Sequence, residues 1–388
     1  MPAEVPAGIG RRVDRGPQVP GCPVRAGADG VWLVQDYAGA RAVLRSIDTC
    51  QAGLGIEAYD NLPRKMRRPV LYRDGPEHRE HRRQTAQYFT PRRVDEEYRG
   101  LMCSLVEQQC DRLRRVGRAD LSKLALAVSV GVVAEVIGLD GSRAALARRL
   151  ERFFTEAAVA PGWGSPRAIG RLLYERGRAL SVFLFNILPS MRKRRKHRCG
   201  DLVSHLLDEG CTALEVLGEC VTFAGAGMFT TREFITLAAF HLFSDDALRA
   251  AYTTADEPGR QAILQEILRL EPVVSDLYRR TTAELEVGDA TIPRGAKIDI
   301  RVAAANLDPA AAGSDAGELR VPRDIAEGLT FGDGPHRCPG APIALQQTDL
   351  FLTALLALPG IRMARAPRIR IRSNMESYEL TGLELALR

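Results

Sequence analysis

The sequence has no C-x-x-C pair: its eight cysteines, at positions 22, 50, 103, 110, 199, 211, 220 and 338, follow no regular spacing. That excludes a zinc ribbon or a disulfide framework, and His336-x-Cys338 has no nearby second pair to complete a tetrahedral metal site. There is no run of 18 apolar residues; the longest candidate, 124–139, is interrupted by Ser129 and Glu135 and reads as a buried helix. The N-terminus lacks the charged and apolar regions of a signal peptide, so a soluble, cytoplasmic chain with no membrane partner is expected. Aromatic residues are scarce, at 6%, and none interleaves with a basic stretch as a single-strand nucleic-acid binder requires. Repeats and low-complexity segments are absent as well.

What remains is ordinary for a globular chain of 388 residues, with 45% hydrophobic and 26% charged residues. Its net charge of +6 hints at an acidic partner and does not demand nucleic acid. Residues 1–21, rich in Pro, Gly and Arg, read as a loosely held arm. Pro23-Val-Arg and Val31-Trp-Leu-Val flank Gly27–Gly30 as a hairpin, and 37–45 follows as a short amphipathic helix. From 95 to 207 the pattern gives successive helices, broken at Pro161–Pro166. Two basic runs, Arg64–Arg68 and Met191–Arg198, read as solvated charge, with an anionic partner as the sharper alternative.

The stretch that organises the chain is Phe331-Gly-Asp-Gly-Pro-His-Arg-Cys-Pro-Gly340. Gly332 and Gly334 permit backbone angles other residues resist, and Gly340 lets a flat ligand approach. Pro339 suits the first position of the apolar helix that follows, which would make Cys338 its cap. Helix N–H groups and the macrodipole favour a thiolate there, the form that binds metal. A buried structural cysteine is the plain alternative.

Six of ten positions in this stretch match Phe-Gly-x-Gly-x-His-x-Cys-x-Gly, so it resembles the haem-binding loop of the cytochrome P-450 family, where a cysteine thiolate holds haem iron. The resemblance covers nearly the whole chain from Val31 onward. It implies one mainly α domain with a minor β region, over 22–388, that binds haem b through Cys338. His78 and Arg82, four apart on a helix that opens at Asp74, resemble the pair that holds a haem propionate. Arg279, with Arg280 as the other choice, would reach the second propionate, and His336 adds a further contact. Phe331, Gly332 and Gly340 complete the cofactor contacts.

Glu266 and Arg269, three apart on an amphipathic helix ended by Pro272, resemble the family's buried structural pair. In Leu217–Phe234, Ala226, Gly227 and Thr230 match the family's central helix, but Phe229 stands where an acid is expected. Gly227 leaves room for dioxygen, and Thr230 can donate to bound oxygen or bond a backbone carbonyl one turn back. Phe229 cannot carry a proton. Glu233, one turn on, could relay one through water or serve as a surface or ion-pair residue.

The resemblance implies a monooxygenase acting on a small organic substrate with dioxygen, in specialised metabolism. No flavin or iron–sulfur motif occurs, so electrons are expected from a separate ferredoxin and ferredoxin reductase. The substrate is either free or presented by a carrier protein. Phe229 motivates an alternative, oxidative coupling, ring formation or desaturation without oxygen insertion; a second alternative is a non-catalytic haem sensor or carrier. The variable loop around 50–73 and a hairpin at 379–387 are expected to border the pocket.

Overall fold

The computed structural model describes residues 8–13, 23–53, 56, 66–154, 174, 177–323, 328–372 and 377–387. The expected break at Pro161–Pro166, most of the loop before Arg67, and most of the N-terminal arm lie outside them.

Thr212 starts the longest element. Its hydroxyl accepts from the Glu215 N–H while the Glu215 carboxylate accepts from the Thr212 N–H at 2.7 Å, a reciprocal cap that fixes where the helix begins. This helix is numbered α8, and the elements before it run as follows. Strands β1 (Val24–Ala26) and β2 (Trp32–Val34) form the expected hairpin, and α1 covers Tyr37–Arg45. Strand β3 (Thr49–Ala52) leads to α2 (Gly75–Thr85), α3 (Arg99–Val116), β4 (Arg118–Asp120) and α4 (Leu121–Ile137). Helices α5 (Arg143–Phe154), α6 (Leu188–Lys196) and α7 (Leu202–Asp208) precede α8 (Ala213–Ser244).

After it come α9 (Asp246–Thr254) and α10 (Glu257–Leu270), then strands β5 (Leu277–Thr281), β6 (Leu285–Val287), β7 (Ala290–Ile292) and β8 (Lys297–Ile300). Helix α11 (Ala341–Leu356) and strands β9 (Arg362–Arg365), β10 (Arg368–Arg372), β11 (Ser377–Thr381) and β12 (Glu384–Ala386) close the chain.

Helix α4 is apolar nearly all round and buried on all sides, as such a pattern requires. It packs along α8, which is apolar for the same reason. By length and composition α8 is the one helix among the described residues that could cross a membrane. Here it forms part of the protein core, which the search for unbroken apolar runs did not single out. Met102, Leu124, Leu237, Ile267 and Phe351 join α3, α4, α8, α10 and α11 in the main core, and a second cluster under α5 to α7 contains Leu146, Leu150, Ile187 and Phe229. A third seats Val34, Ile298 and Ile300 of the five-stranded sheet β1-β2-β8-β5-β3 against α1. The fold is the expected mainly α domain with small sheets.

Two expectations are corrected. The six described residues of the N-terminal arm, 8–13, are tied down: Ile9 and Val13 are buried, the Ile9 carbonyl accepts from Leu319 N–H at 2.8 Å, and Glu271 accepts from Arg12 and Val13 N–H. Residues 379–387 are not a hairpin. β11 pairs with β10, whereas β12 pairs with β4 and β9, because the chain leaves one sheet for another at Gly382 (φ 71°). The hairpin is β10–β11, and its connection at 373–376 lies outside the described residues. Helix α10 ends as expected, at Leu270 with Glu271 as its cap directly before Pro272.

Candidate cofactor site

The loop before α11 is held from three directions. The Cys338 N–H donates to the Phe331 carbonyl at 2.8 Å and closes the loop on itself. Asp333 accepts from both Arg41 (2.9 Å) and Arg45 (2.8 Å), fastening it to α1. Gly334, at φ 65°, comes so close to α1 that a Cβ would lie 2.9 Å from the Arg45 Cα, so both its conformation and its neighbour demand glycine. Gly332 shares the left-handed φ, at 70°. Gly340 does not: its φ is −80°, and a Cβ there would meet only the Cys338 sulfur, at 3.9 Å.

The helix itself begins later than the sequence implies. Gly340 is the cap, Ala341 the first helical residue, and Pro342 rather than Pro339 sits in the first turn. Cys338 is therefore two residues ahead of the cap. The peptide N–H groups of Gly340 and Ala341, with the guanidinium groups of Arg82 and Arg337, still pull its thiol pKa down. Burial among protein atoms outweighs them and raises the pKa, a push limited by solvent reaching the exposed residue surface.

Helix α2 supplies the next groups. His78 is 2% exposed, and its ring stacks on that of His336 with centroids 4.0 Å apart. Burial, then His336 and Arg82, push its pKa down to about 3. Arg82, on the same face, donates to the Arg337 carbonyl at 2.5 Å, and burial lowers its pKa while Cys338 raises it. His336 hydrogen-bonds Asp74 (Nε2···Oδ1 3.0 Å), whose other oxygen accepts from Gln51 N–H at 3.1 Å.

Gln51 lies on β3, opposite Arg279 on β5. Arg279 is 4% exposed and donates to two neutral oxygens, Gln51 Oε1 at 2.7 Å and the Tyr278 carbonyl at 2.8 Å; burial takes its pKa down to about 10. Arg280 points outward and bonds the Gly295 carbonyl at 2.9 Å. Of the two arginines left open by the sequence, Arg279 joins the cluster. Arg279 and the two histidines thus gather around one carboxylate, Asp74, while Arg82 lies between His78 and the Cys338 sulfur and acts on both. This donor set fits a ligand that carries its own carboxylates and a metal.

On α8 the face differs from expectation. A Cβ on Gly227 would lie 2.8 Å from Val133 Cγ2 on α4, so this glycine permits helix packing. Ala226 is exposed although it lies mid-helix in the core, so Ala226 and Thr230, one turn apart, are the face that looks into an internal cleft. The Thr230 hydroxyl donates to the Ala226 carbonyl, the backbone bond weighed for it above. Phe229 is buried, edge-on to Phe154 at 5.4 Å. Glu233 is neither a surface group nor aimed at the cleft. It is 3% exposed, pairs with Arg232 and accepts from the Leu380 N–H of β11 at 2.7 Å, with burial raising its pKa.

Glu266 and Arg269 form the expected buried pair at 2.7 and 2.8 Å, and Arg269 also donates to the Asn306 and Ala316 carbonyls. A third member escaped the sequence reading: Arg323 donates to Glu266 Oε1 at 2.7 Å and to Asp315 at 2.8 Å. No local pattern marks it, since it lies in an irregular segment more than fifty residues from Glu266. Asp74, Gln51 and Asp333 were missed for a similar reason, since their roles come from contacts across the fold. Arg67, assigned to solvated charge, is docked: its N–H donates to Glu215 at 2.7 Å and its guanidinium to the Glu209 carbonyl at 3.1 Å. In the run 191–198, Met191 is buried in the core, Arg194 is buried against Asp201 and Lys193 pairs with Asp140 at 2.7 Å, while the other residues are exposed.

No protein-family model matches the chain. Among curated proteins it is 32% identical to the cytochrome P450 monooxygenase PikC of Streptomyces venezuelae, over 91% of this chain and 88% of that one. It is 29% identical to cytochrome P450 130 of Mycobacterium tuberculosis (74% and 71%) and 27% identical to the 6-deoxyerythronolide B hydroxylase of Saccharopolyspora erythraea (87% and 84%). Solved structures share the fold: CalO2 at a TM-score of 0.78 with 23% identity, covering 94% of this chain and 93% of that one. P450BioI, solved with a fatty-acyl-ligated acyl carrier protein, follows at 0.77 with 20% identity, covering 94% and 95%.

Proposed function

The chain belongs to the cytochrome P450 superfamily as an oxidoreductase of the monooxygenase type, and from that premise we propose that it binds haem b through Cys338 and hydroxylates a small organic molecule of specialised metabolism. The observation that carries the reading is the cluster of His78, Arg279 and His336 around the single carboxylate of Asp74, with Arg82 acting on both His78 and the Cys338 sulfur. Asp74 is the one carboxylate acting on Arg279, which donates only to neutral oxygens, so these buried cations call for further anions, and the two propionates of haem supply two. Bound through thiolate, haem supplies O–O bond cleavage. The chain's own residues hold and orient it: His78, Arg82, Arg279 and His336 take the propionates, Gly340 gives it a flat approach, and Ala226 and Thr230 face the space beyond.

The substrate class rests on relatives whose names are those of hydroxylases, including the mycinamicin VIII C21 methyl hydroxylase of Micromonospora griseorubida, 27% identical over 81% of this chain. P450BioI held with an acyl carrier protein supports carrier presentation as one form of the substrate. Electrons come from a ferredoxin and its reductase. A cavity of about 490 Å³ between α2 and the cysteine loop, lined by Arg79, Arg82, Arg83, Pro335 and Pro339, offers an acidic protein a basic seat beside the sulfur. A soluble cytoplasmic enzyme is in keeping with a long apolar helix built into the core.

One observation favours a second reading, oxidative coupling, ring formation or desaturation: Phe229 sits in an apolar cluster where the family has an acid, and the Thr230 hydroxyl is committed to Ala226. Labelled dioxygen separates the two, since hydroxylation carries label into product and coupling does not. The first experiment is the spectrum of the reduced protein under carbon monoxide. A strongly red-shifted Soret band is expected; a band typical of histidine or neutral thiol ligation, or no haem, would overturn the reading. Haem binding without reduction by any ferredoxin would make it a sensor or carrier.

A further inference from the structure

The peptide bond between Glu318 and Leu319 is held on both sides. Its carbonyl, that of Glu318, accepts from Arg323 at 2.8 Å and from Arg269 at 3.1 Å. Its N–H, that of Leu319, donates to the Ile9 carbonyl at 2.8 Å, and the Gly8 N–H donates to the Glu318 carboxylate at 3.1 Å. Residues 8–13 thus orient the peptide whose oxygen positions both arginines of the Glu266 network. Further along, the same segment meets Glu271, the cap of α10, whose Oε1 accepts from the Arg12 N–H at 2.8 Å and from the Val13 N–H. Glu271 Oε2 is hydrogen-bonded to His241 Nε2 of α8, and the Glu271 carbonyl accepts from the Tyr378 hydroxyl at 3.1 Å. Glu271 is 1% exposed and His241 fully buried, so this carboxylate depends on those donors in place of water.

From Arg269 the hydrogen bonds run on to the cysteine loop. Arg269 donates to the Asn306 carbonyl at 2.8 Å, and the Asn306 side chain accepts from the Leu329 N–H at 2.7 Å and donates to the Thr330 hydroxyl at 3.1 Å. That hydroxyl donates back to the Leu268 carbonyl of α10 at 2.9 Å, and Phe331, next in the chain, accepts from the Cys338 N–H at 2.8 Å. We infer that Glu271 is a positioning residue: it clasps residues 8–13 against the Arg269 and Arg323 network, and the clasp sets how firmly the cysteine loop is held. Two consecutive N–H groups aimed at one buried carboxylate oxygen, with Ile9 and Val13 buried in the main core, make this segment an inserted strap. The part of the inference that concerns cofactor retention rests on haem binding at Cys338, which the carbon monoxide spectrum of the unaltered protein tests separately.

Three variants separate the clasp from general stability. Ile9→Asp sets a charge where a buried side chain packs and so evicts the strap without altering the network. Glu271→Ala removes the clasp, and Glu271→Gln keeps an oxygen for the two N–H groups. Hydrogen exchange is followed in the proteins as purified. Exchange over 329–338 is expected to quicken about three- to tenfold in Ile9→Asp and Glu271→Ala, the effect of about one lost hydrogen bond, and to stay within about twofold in Glu271→Gln. Exchange in α4 should stay unchanged, and haem transfer from Ile9→Asp to apomyoglobin should quicken by a similar factor. A merely structural role would loosen the whole core and speed exchange in α4 in parallel, with no rescue by Glu271→Gln. That result, or unchanged exchange over 329–338 in a variant whose strap is released, would overturn the inference; either releasing variant decides it where the other is not recovered folded. An unaltered protein without haem would overturn the proposed function, and the exchange rates would still decide the role of Glu271.

Discussion

The His78 and His336 rings lie 4.0 Å apart at 21°, so helix α2 and the cysteine loop meet through two imidazoles, with Arg82 raising the positive potential beside them. This arrangement predicts acid lability before cofactor is bound. The folded-state pKa of His78, about 3, lies below its ordinary 6.5, because burial, His336 and Arg82 all disfavour its charged form. Unfolded chains take up a proton below pH 6.5 that the folded chain refuses until about 3, so the stability from His78 is present above 6.5 and lost as pH falls through that window. Urea unfolding of haem-free protein should show stability falling from pH 6.5 towards 4, less steeply in His78→Phe. Loading haem, whose carboxylates favour the charged ring, should flatten the slope in the unaltered protein. An identical slope in His78→Phe would remove His78 as its source.

Arg279 gives a test of opposite effects in one variant. Burial costs its charge more than the nearby Asp74 carboxylate returns, as its lowered pKa shows, so Arg279→Met should leave haem-free stability unchanged or raised. The same change removes one charge-assisted hydrogen bond to a propionate, of about 1.5–3 kcal/mol. Haem transfer to apomyoglobin should then quicken about ten- to hundredfold. Slower unfolding together with unchanged haem loss would refute the assignment of Arg279 to the propionate.

The Glu266, Arg269 and Arg323 network is structural. Removing the carboxylate in Glu266→Ala leaves two buried guanidinium groups without their shared partner, at a cost of about 3–5 kcal/mol. The variant should be recovered largely without haem, and Arg323→Ala should follow it in the same direction. Full haem occupancy in Glu266→Ala would show that the network does not hold the site together.

The contrast between Glu266 and Arg323 also shows what a sequence makes legible. Glu266 and Arg269 stand one helical turn apart, so local periodicity reveals them; Arg323 is more than fifty residues away in an irregular segment and joins them only in three dimensions. Likewise the helix at 37–45, the hairpin before it and the cysteine loop carry local signals. Asp74 and Gln51 reach Arg279 and His336 only because β3 pairs with β5. The β11 and β12 strands misled for the same reason: adjacency in sequence suggested a hairpin, and long-range pairing decided otherwise. Gly227 misled through chemistry, since a missing side chain says that something comes close and not what.

Ferredoxin docking is tested by charge reversal on the rim of the basic cavity. Arg79 lines it without belonging to the propionate cluster, so Arg79→Glu should spare the carbon monoxide spectrum. The KM for ferredoxin should rise several-fold at low salt, with kcat little altered, and the difference from the unaltered enzyme should shrink as salt screens the charges over a Debye length of about 10 Å at 0.1 M. A salt-independent KM in the unaltered enzyme would place the electron donor elsewhere.

The last prediction concerns the missing acid. Were proton delivery limited by Phe229, restoring the carboxylate in Phe229→Asp would quicken product formation about 10²- to 10⁴-fold, the usual yield of a positioned proton donor. The surroundings argue against so large a gain. Position 229 opens onto the Phe154 ring and the Arg232 guanidinium, away from the face of Ala226 and Thr230, so a carboxylate there meets Arg232 first and competes with Glu233 and Glu379 for it. A rate change below about tenfold is therefore expected, with the fraction of labelled dioxygen in product unaltered. A hundredfold gain would mean that Phe229 throttles oxygen chemistry, and that its packing against Phe154 is incidental.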